Sequence, residues 1–248
     1  MAKIPKKPEE IFPEMTERLK SAFGDDLKSV VLYGSGASGE YLPGKSDLNF
    51  LVIVTDGGMK KLSRLHPYMK DWGKKRVAVP LVMTKSFLHN ALDVYPIEFM
   101  TMKTHHIRVT GDDILSSLVF DGTCMRLQLE REIKGKLLHL RQGYLASQGE
   151  AKQLQGLIKA SLVAFLSLFE AVLFLKGVPA PSSRRRLIRD TCAESGLDEG
   201  VFLRCLDIKE DAMKYDLKET TGLFGQYLSE IEKFDCLVDQ LKQEINRP

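Results

Sequence analysis

Short apolar runs and glycine-containing breaks alternate along the first half of the chain, a pattern typical of strands joined by loops and helices. Residues 8–23 are the exception and predict an amphipathic helix. Ile11, Met15 and Leu19 recur there every four residues, which puts them on one helix face. Apolar or β-branched runs predict strands over residues 29–33, 47–54, 76–83, 96–102 and 107–110. Helices are predicted between them over residues 59–72 and 87–92. Pro80 places the third strand at a sheet edge, because proline cannot donate to a strand ladder.

From about Ile114 onward, helical periodicity replaces the strand-like runs. Helices are predicted over residues 125–147, 151–177, 183–195, 199–206 and 223–245. Helices of this length joined by short loops are typical of a bundle. The sequence therefore predicts an α+β protein, with a mixed-sheet α/β domain over residues 1–118 and an all-α helical bundle domain over residues 119–248.

Composition and charge narrow the classes of function. The 248 residues include 36 basic and 33 acidic ones, for a net charge of +3, so we expect no extended nucleic-acid surface. The four cysteines are far apart and form no CxxC pair, which argues against a zinc site or a disulfide framework. The most apolar stretch, residues 157–175, carries Lys159 and Glu170, which favours a core helix over a membrane span. With no apolar run behind its basic N-terminus, the chain is expected to be cytoplasmic, with no membrane partner.

The segment with candidate chemistry is residues 31–54, VLYGSGASGEYLPGKSDLNFLVIV. Gly34 permits a sharp turn after the first strand, where a side chain would block an incoming phosphate. The amides of Ser35 and Gly36 and the Ser35 hydroxyl can then face phosphate oxygens. Asp47 opens the next strand, and strand alternation puts the residue two positions later on the same face. Two carboxylates at that spacing would hold the divalent metals that phosphoryl or nucleotidyl transfer needs.

This segment resembles the nucleotidyltransferase superfamily typified by polymerase-β-like domains, whose pattern is hydrophobic-Gly-Ser, about a dozen residues, then Asp-x-Asp. An α/β domain followed by a helical bundle is also similar to the aminoglycoside and kanamycin nucleotidyltransferases. The resemblance implies transfer of an NMP group from a nucleoside triphosphate to a hydroxyl of an unknown small-molecule acceptor. It implies nucleotide binding by Gly34, Ser35, Gly36, Lys45 and Ser46. It implies Mg²⁺ bound by Asp47 and residue 49.

The chain departs from the family pattern at its carboxylates. Asn49 stands where the family has its second metal-binding Asp, and its amide brings no negative charge, so a weakened Mg²⁺ site is expected. The strand predicted at 76–83 contains no third carboxylate, and Glu98 is the nearest candidate. Glu98 either serves as a metal ligand or general base, or stands on a solvated face. Asp47, Asn49 and Glu98 are thus the candidate catalytic set.

Three functional hypotheses remain open from the sequence. The first is an active nucleotidyltransferase, and the second is a catalytically degenerate relative that binds a nucleotide or a partner without turnover. The third is an antitoxin-like minimal nucleotidyltransferase fused to a ribonuclease-like module. The C-terminal helices contain no Arg-x(4–6)-His motif, which weakens the third hypothesis. A homodimer stays open as the oligomeric state.

Overall fold

A computed structural model of the chain describes residues 3–181, 183–213 and 215–245, with side chains up to residue 241. The chain divides into two compact units. The sheet unit comprises Met1–Tyr95 and Phe99–Val119, and the helical unit comprises Pro96–Glu98 and Phe120–Pro248.

The described residues of the sheet unit form one four-stranded mixed sheet. In chain order its strands are β1 (Leu27–Tyr33), β2 (Asn49–Val54), β3 (Leu81–Thr84) and β4 (His106–Gly111). The spatial order is β3-β2-β1-β4, with β1 antiparallel to both β2 and β4, and β3 parallel to β2. This sheet confirms the α+β prediction. β3 lies at an edge, as Pro80 predicts.

Among the described residues, five α-helices precede or separate these strands along the chain. They are α1 (Phe12–Phe23), α2 (Asp56–Met59), α3 (His66–Lys74), α4 (Lys85–Asn90) and α5 (Pro96–Thr104), the last of which spans the division between the units. The amphipathic helix predicted over 8–23 is confirmed, although its first turn is a 3₁₀ helix. Met15 and Leu19 of α1 are fully buried in one core with Leu32 and Phe50 of the sheet. Burial of each such side chain stabilises the fold by about 1.5–3 kcal/mol.

The strand predicted over 96–102 is wrong, because these residues lie in helix α5. Pro96 occupies the first position of that helix, where its missing N–H and fixed φ favour a helix start. Ile97, Phe99 and Met100 are all buried. Glu98 is the one exposed residue of 96–102, and a short apolar run of this kind has no period that separates a strand from a helix.

The bounds predicted for one helix and two strands of the sheet unit also differ from those in the structure. The single helix predicted over 59–72 is replaced by α2, a 3₁₀ turn at Leu62–Leu65, and α3, which has proline in its first turn. The third strand starts late, at Leu81, and before it only Val77 bridges Leu48 of the neighbouring chain segment. The second strand begins at Asn49, so Asp47 precedes it instead of opening it.

The described part of the helical unit contains five long helices, which confirms the predicted bundle. They are α6 (Gly122–Ala146), α7 (Ala151–Leu175), α8 (Arg184–Ser195), α9 (Glu199–Lys209) and α10 (Leu217–Ile245). Helix α7 packs against each of the other four. Phe169 of α7 makes edge-to-face contacts with Phe202 and Phe234, with ring centroids 5.1 and 5.2 Å apart. Such aromatic pairs contribute about 0.5–1.5 kcal/mol beyond their buried area.

Among the described residues, α7 is the one helix long and apolar enough to cross a membrane, by length and composition alone. Within the unit its residues Leu162, Phe165 and Phe169 are fully buried. This burial is what the core helix of a bundle requires.

Candidate functional site

The turn after β1 is built around Gly34. Its φ is +73°, in the left-handed region that favours glycine. Gly34 opens a 3₁₀ turn over Gly34–Gly36, and its carbonyl accepts from the amides of Ala37 at 2.9 Å and Ser38 at 3.0 Å. The backbone of this turn is therefore closed on itself and has a defined shape.

The other two residues of the turn, Ser35 and Gly36, differ in their burial and in their neighbours. Ser35 is half-buried, and its carbonyl accepts from the Ser38 hydroxyl at 3.5 Å. Gly36 is buried, and a Cβ there would lie 3.1 Å from Leu48 and 3.2 Å from Leu32. Gly36 thus allows the turn to sit directly on the sheet core.

Asn49 lies beside Gly34. It is the register partner of Tyr33, the residue just before the turn. A Cβ placed on Gly34 would lie 3.5 Å from the Asn49 Nδ2 atom. The structure thus brings together the turn and Asn49, the residue predicted to stand at the second acidic position.

The loop between the turn and β2 ends in a second closed turn. The amides of Lys45 and Ser46 donate to the Leu42 carbonyl at 3.0 and 2.8 Å. The Ser46 hydroxyl in return accepts from the Leu42 amide at 3.0 Å. Asp47 follows with a side chain that is 56% exposed, so its carboxylate is open to solvent on one side.

Arg76 holds Asp47. Its Nη2 atom lies 3.0 Å from the Asp47 Oδ1 atom and also donates to the Lys45 carbonyl at 2.8 Å. Its Nε atom donates to the Ser46 carbonyl at 3.4 Å. One guanidinium therefore contacts three consecutive residues of the loop, as a hydrogen-bond donor to the Lys45 and Ser46 carbonyls and as the ion-pair partner of Asp47.

Sequence reasoning did not identify Arg76 as a site residue. Arg76 is 29 positions from Asp47, and the parallel bridge between Leu48 and Val77 sets the two side by side. The Leu48 amide donates to the Arg76 carbonyl at 2.8 Å. The signal in the sequence was the basic run Lys74-Lys75-Arg76 at the start of the predicted third strand, and the contact of Arg76 with Asp47 depends on the bridge between Leu48 and Val77.

Glu98 is the member of the predicted catalytic set that lies in the helical unit. Its residue is exposed on α5, and its carboxylate accepts from the Gln128 amide nitrogen at 2.6 Å. The Gln128 carbonyl oxygen accepts from the Ile97 amide at 2.9 Å. Gln128 thus fixes the first turn of α5, and a catalytic role of Glu98 stays a prediction.

The family of the sheet unit is shown by comparison with known domains. Residues 13–105 match the family model described as "Nucleotidyltransferase domain". This segment is a nucleotidyltransferase domain. The resemblance predicted from the strand-turn-strand motif is thereby confirmed. No curated protein sequence matches the chain.

The nucleotidyltransferase domain and the helices after it share a fold with a solved enzyme. The chain is similar to the crystal structure of spectinomycin adenyltransferase AAD(9) from Enterococcus faecialis, with ATP and spectinomycin. The TM-score is 0.52 at 12% identity, over 90% of this chain and 99% of the other. At this identity the likeness concerns the fold.

Nucleotidyltransferases generally use a divalent metal such as Mg²⁺, and the donor atoms of this domain do not fit a two-metal site. At the two positions of the Asp-x-Asp pattern, Asp47 is the one acid, and its carboxylate already forms an ion pair with Arg76. Asn49 adds a neutral amide, whereas Mg²⁺ sites beside phosphates rely on carboxylates. In the part of the chain with described side chains, no group of three or more His, Cys, Asp or Glu residues is arranged to hold a metal ion.

Proposed function

We propose that the nucleotidyltransferase domain binds a nucleoside triphosphate at the Gly34–Gly36 turn and that the chain transfers its NMP group to a hydroxyl of a small molecule. In this reaction the hydroxyl oxygen forms a bond to the α-phosphorus. The bond between the α-phosphorus and the bridging oxygen breaks, pyrophosphate leaves, and the hydroxyl proton passes to a base or to water.

One observation carries this proposal: a nucleotidyltransferase domain whose glycine turn is intact. Gly34 has the positive φ that the turn requires, and Asn49 lies against it. Backbone amides in such a turn bind anions because several N–H groups can face one phosphate. Ser35, Lys45 and Ser46 are the further residues proposed to contact the nucleotide.

The acceptor is proposed from the shared fold. The enzyme of similar fold is described as a spectinomycin adenyltransferase, and its structure contains ATP and spectinomycin. ATP and spectinomycin are therefore the first donor and acceptor to test. Because one fold hosts many substrates, other small polyhydroxylated compounds belong in the same panel.

A second candidate function is nucleotide binding without turnover. Asn49 and the ion pair between Arg76 and Asp47 favour it, because together they remove the negative charge that a catalytic metal needs. The two candidates share the same nucleotide site and differ in whether pyrophosphate is released.

The test combines calorimetry with a pyrophosphate-release assay. We expect the wild-type chain to bind ATP. Gly34→Ala should weaken that binding by about tenfold, because a Cβ disfavours the left-handed turn by about 1–2 kcal/mol and shifts the free chain away from the conformation that binds. Gly73→Ala is the matched control, because a Cβ there meets nothing within 4 Å. ATP binding with pyrophosphate release supports transfer, and binding without release supports the second candidate. A wild-type chain that binds no nucleotide contradicts both.

A further inference from the structure

The cation beside Asp47 in this structure is a side chain of the protein itself. We propose that the Arg76 guanidinium takes the place of a divalent cation at Asp47, so that nucleotide phosphates meet an internal arginine in a site that does not recruit Mg²⁺. This inference rests on the proposed nucleotide binding and specifies how the phosphates are neutralised.

The first support is the way Arg76 is held. Its guanidinium bonds the Asp47 carboxylate at 3.0 Å and the Lys45 carbonyl at 2.8 Å, while its Nε atom reaches the Ser46 carbonyl at 3.4 Å. A Mg²⁺ ion at the solvent-facing side of Asp47 would lie beside this positive charge, which repels it. Arg is suited to the position because its planar fork loses little entropy for each hydrogen bond that it forms.

The second support is the donor capacity that Arg76 retains. Its Nη1 atom takes part in none of the three contacts with Lys45, Ser46 and Asp47, and the side chain is 36% exposed. Because Nε and Nη2 are engaged, the Nη1 nitrogen is the part of the guanidinium that can donate to phosphate oxygens. Arg76 can therefore keep Asp47 and contact a phosphate at the same time.

The third support is the local charge. Two Asp residues in the family pattern would bring a charge of −2, which attracts cations. Here Asp47 contributes −1, Asn49 contributes none and Arg76 contributes +1, so these three side chains sum to zero. A neutral site neither concentrates divalent cations nor repels a triphosphate.

The fourth support is the backbone of Arg76, which has a φ of +59°. Few residues other than glycine adopt this conformation. It is held by the hydrogen bonds from the Leu48 amide to the Arg76 carbonyl, at 2.8 Å, and from the Arg76 amide to the Gly73 carbonyl, at 3.1 Å. With the Val77 amide donating to the Trp72 carbonyl at 2.9 Å, this backbone is the left-handed cap that ends α3, and the cap sets the point from which the Arg76 side chain leaves the helix end.

The experiment measures ATP binding by calorimetry in EDTA and in excess Mg²⁺, and Mn²⁺ binding without nucleotide by electron paramagnetic resonance. We expect the wild-type chain to bind ATP with the same affinity in EDTA and in Mg²⁺. Arg76→Gln should weaken ATP binding in EDTA by about tenfold and tighten Mn²⁺ binding by about tenfold, the scale of one hydrogen bond to a charged group.

Lys74→Gln is the matched control. It removes one positive charge two residues away, from a side chain that is 55% exposed, and it should leave both affinities at the wild-type value. The proposal is overturned if the wild-type chain binds ATP only with Mg²⁺. It is also overturned if Arg76→Gln changes neither ATP nor Mn²⁺ binding.

Asp47→Asn provides a second test in case Arg76→Gln fails to fold. This variant removes the carboxylate and keeps Arg76, so ATP binding in EDTA should persist, and its loss would contradict the proposal. If ATP binds under no condition, the proposed function fails, and the Mn²⁺ comparison between the wild-type chain and Arg76→Gln then decides separately whether Arg76 excludes a cation from Asp47.

Discussion

Asp26 shows how single hydrogen bonds set the charge state of a carboxylate at the entry to β1. It accepts from the Lys61 ammonium at 2.5 Å and from the Thr55 hydroxyl. These contacts lower the pKa of Asp26 below its ordinary value of 3.8, with the Lys61 hydrogen bond as the largest cause. The charged form of Asp26 is thus favoured in the folded state.

Replacing Lys61 should raise the pKa of Asp26. In the wild-type chain the contribution of Asp26 to stability is complete above the ordinary pKa and is lost as pH falls through the lowered one. In Lys61→Met this loss should begin at higher pH, as an NMR titration of the Asp26 carboxyl carbon would show. Lys60→Met removes an exposed neighbouring lysine and should leave the titration unchanged. Equal curves for the two variants would contradict the role given to Lys61.

The sequence predicts which residues of the candidate site are neighbours only where they lie on the two consecutive strands β1 and β2. The motif predicts that Gly34 and residue 49 flank the same turn, and the pairing of Tyr33 with Asn49 brings them together. Arg76 could not be predicted, because its position depends on the bridge between Leu48 and Val77, which lies outside the strands. No residue pattern near Arg76 specifies that register.

At the scale of elements, the pairing of β4 with β1 depends on a glycine at the end of β4. Gly111 is the register partner of Ser29 and has a φ of +81°. A Cβ at Gly111 would overlap the carbonyl oxygen of Lys28. The adjacent bond from the Ser29 hydroxyl to the Asp112 carbonyl, at 2.7 Å, keeps the two chain segments close. The pairing of these strands therefore requires glycine at this position.

Gly111→Ala should reduce the free energy of unfolding by about 2–4 kcal/mol, because the side chain adds a backbone clash to an unfavourable φ. Gly44→Ala measures the cost of the unfavourable φ without the backbone clash. Gly44 also has a positive φ, +77°, but a Cβ there meets nothing within 4 Å. We expect Gly44→Ala to cost about 1 kcal/mol. Urea denaturation measures both, and equal losses would contradict the clash with Lys28.

The helices and strands differ in how well the sequence predicts them. The β1 and β2 runs are rich in Val and Ile and lie between glycine breaks, and both are strands in the structure. Residues 96–102 form an equally apolar run that is a helix, since Pro96 starts it and the Gln128 carbonyl oxygen accepts from the free Ile97 amide. That partner is 31 residues away, beyond the reach of a local pattern.

At the scale of the whole molecule, the change of pattern near residue 114 anticipates that helices follow a sheet. The exact division between the two units does not follow a single point in the sequence. Pro96–Glu98 belong to the helical unit although the next 21 residues, Phe99–Val119, belong to the sheet unit. The domain boundary predicted at 118/119 therefore stays a prediction. Its test must show whether residues 96–118 contribute to the stability of the helical unit.

Two fragments of the chain provide that test. A fragment of residues 119–248 should be helical by circular dichroism, because the aromatic cluster around Phe169 lies within it. A fragment of residues 96–248 should resist urea better by about 1 kcal/mol, since it keeps the hydrogen bond between Ile97 and Gln128. Gln128→Ala in the longer fragment should remove this difference. Loss of helicity in both fragments would contradict a self-contained helical unit.

The ion pair between Arg76 and Asp47 also constrains the order in which mutations can convert this site. Asn49→Asp alone adds an acid beside a carboxylate that is already paired with Arg76. Loss of Arg76 alone takes three contacts from the loop and supplies no second ligand. Each step is therefore unfavourable without the other, and the two positions are epistatic. Conversion of this site into a two-carboxylate metal site would therefore need both changes together, at positions 49 and 76.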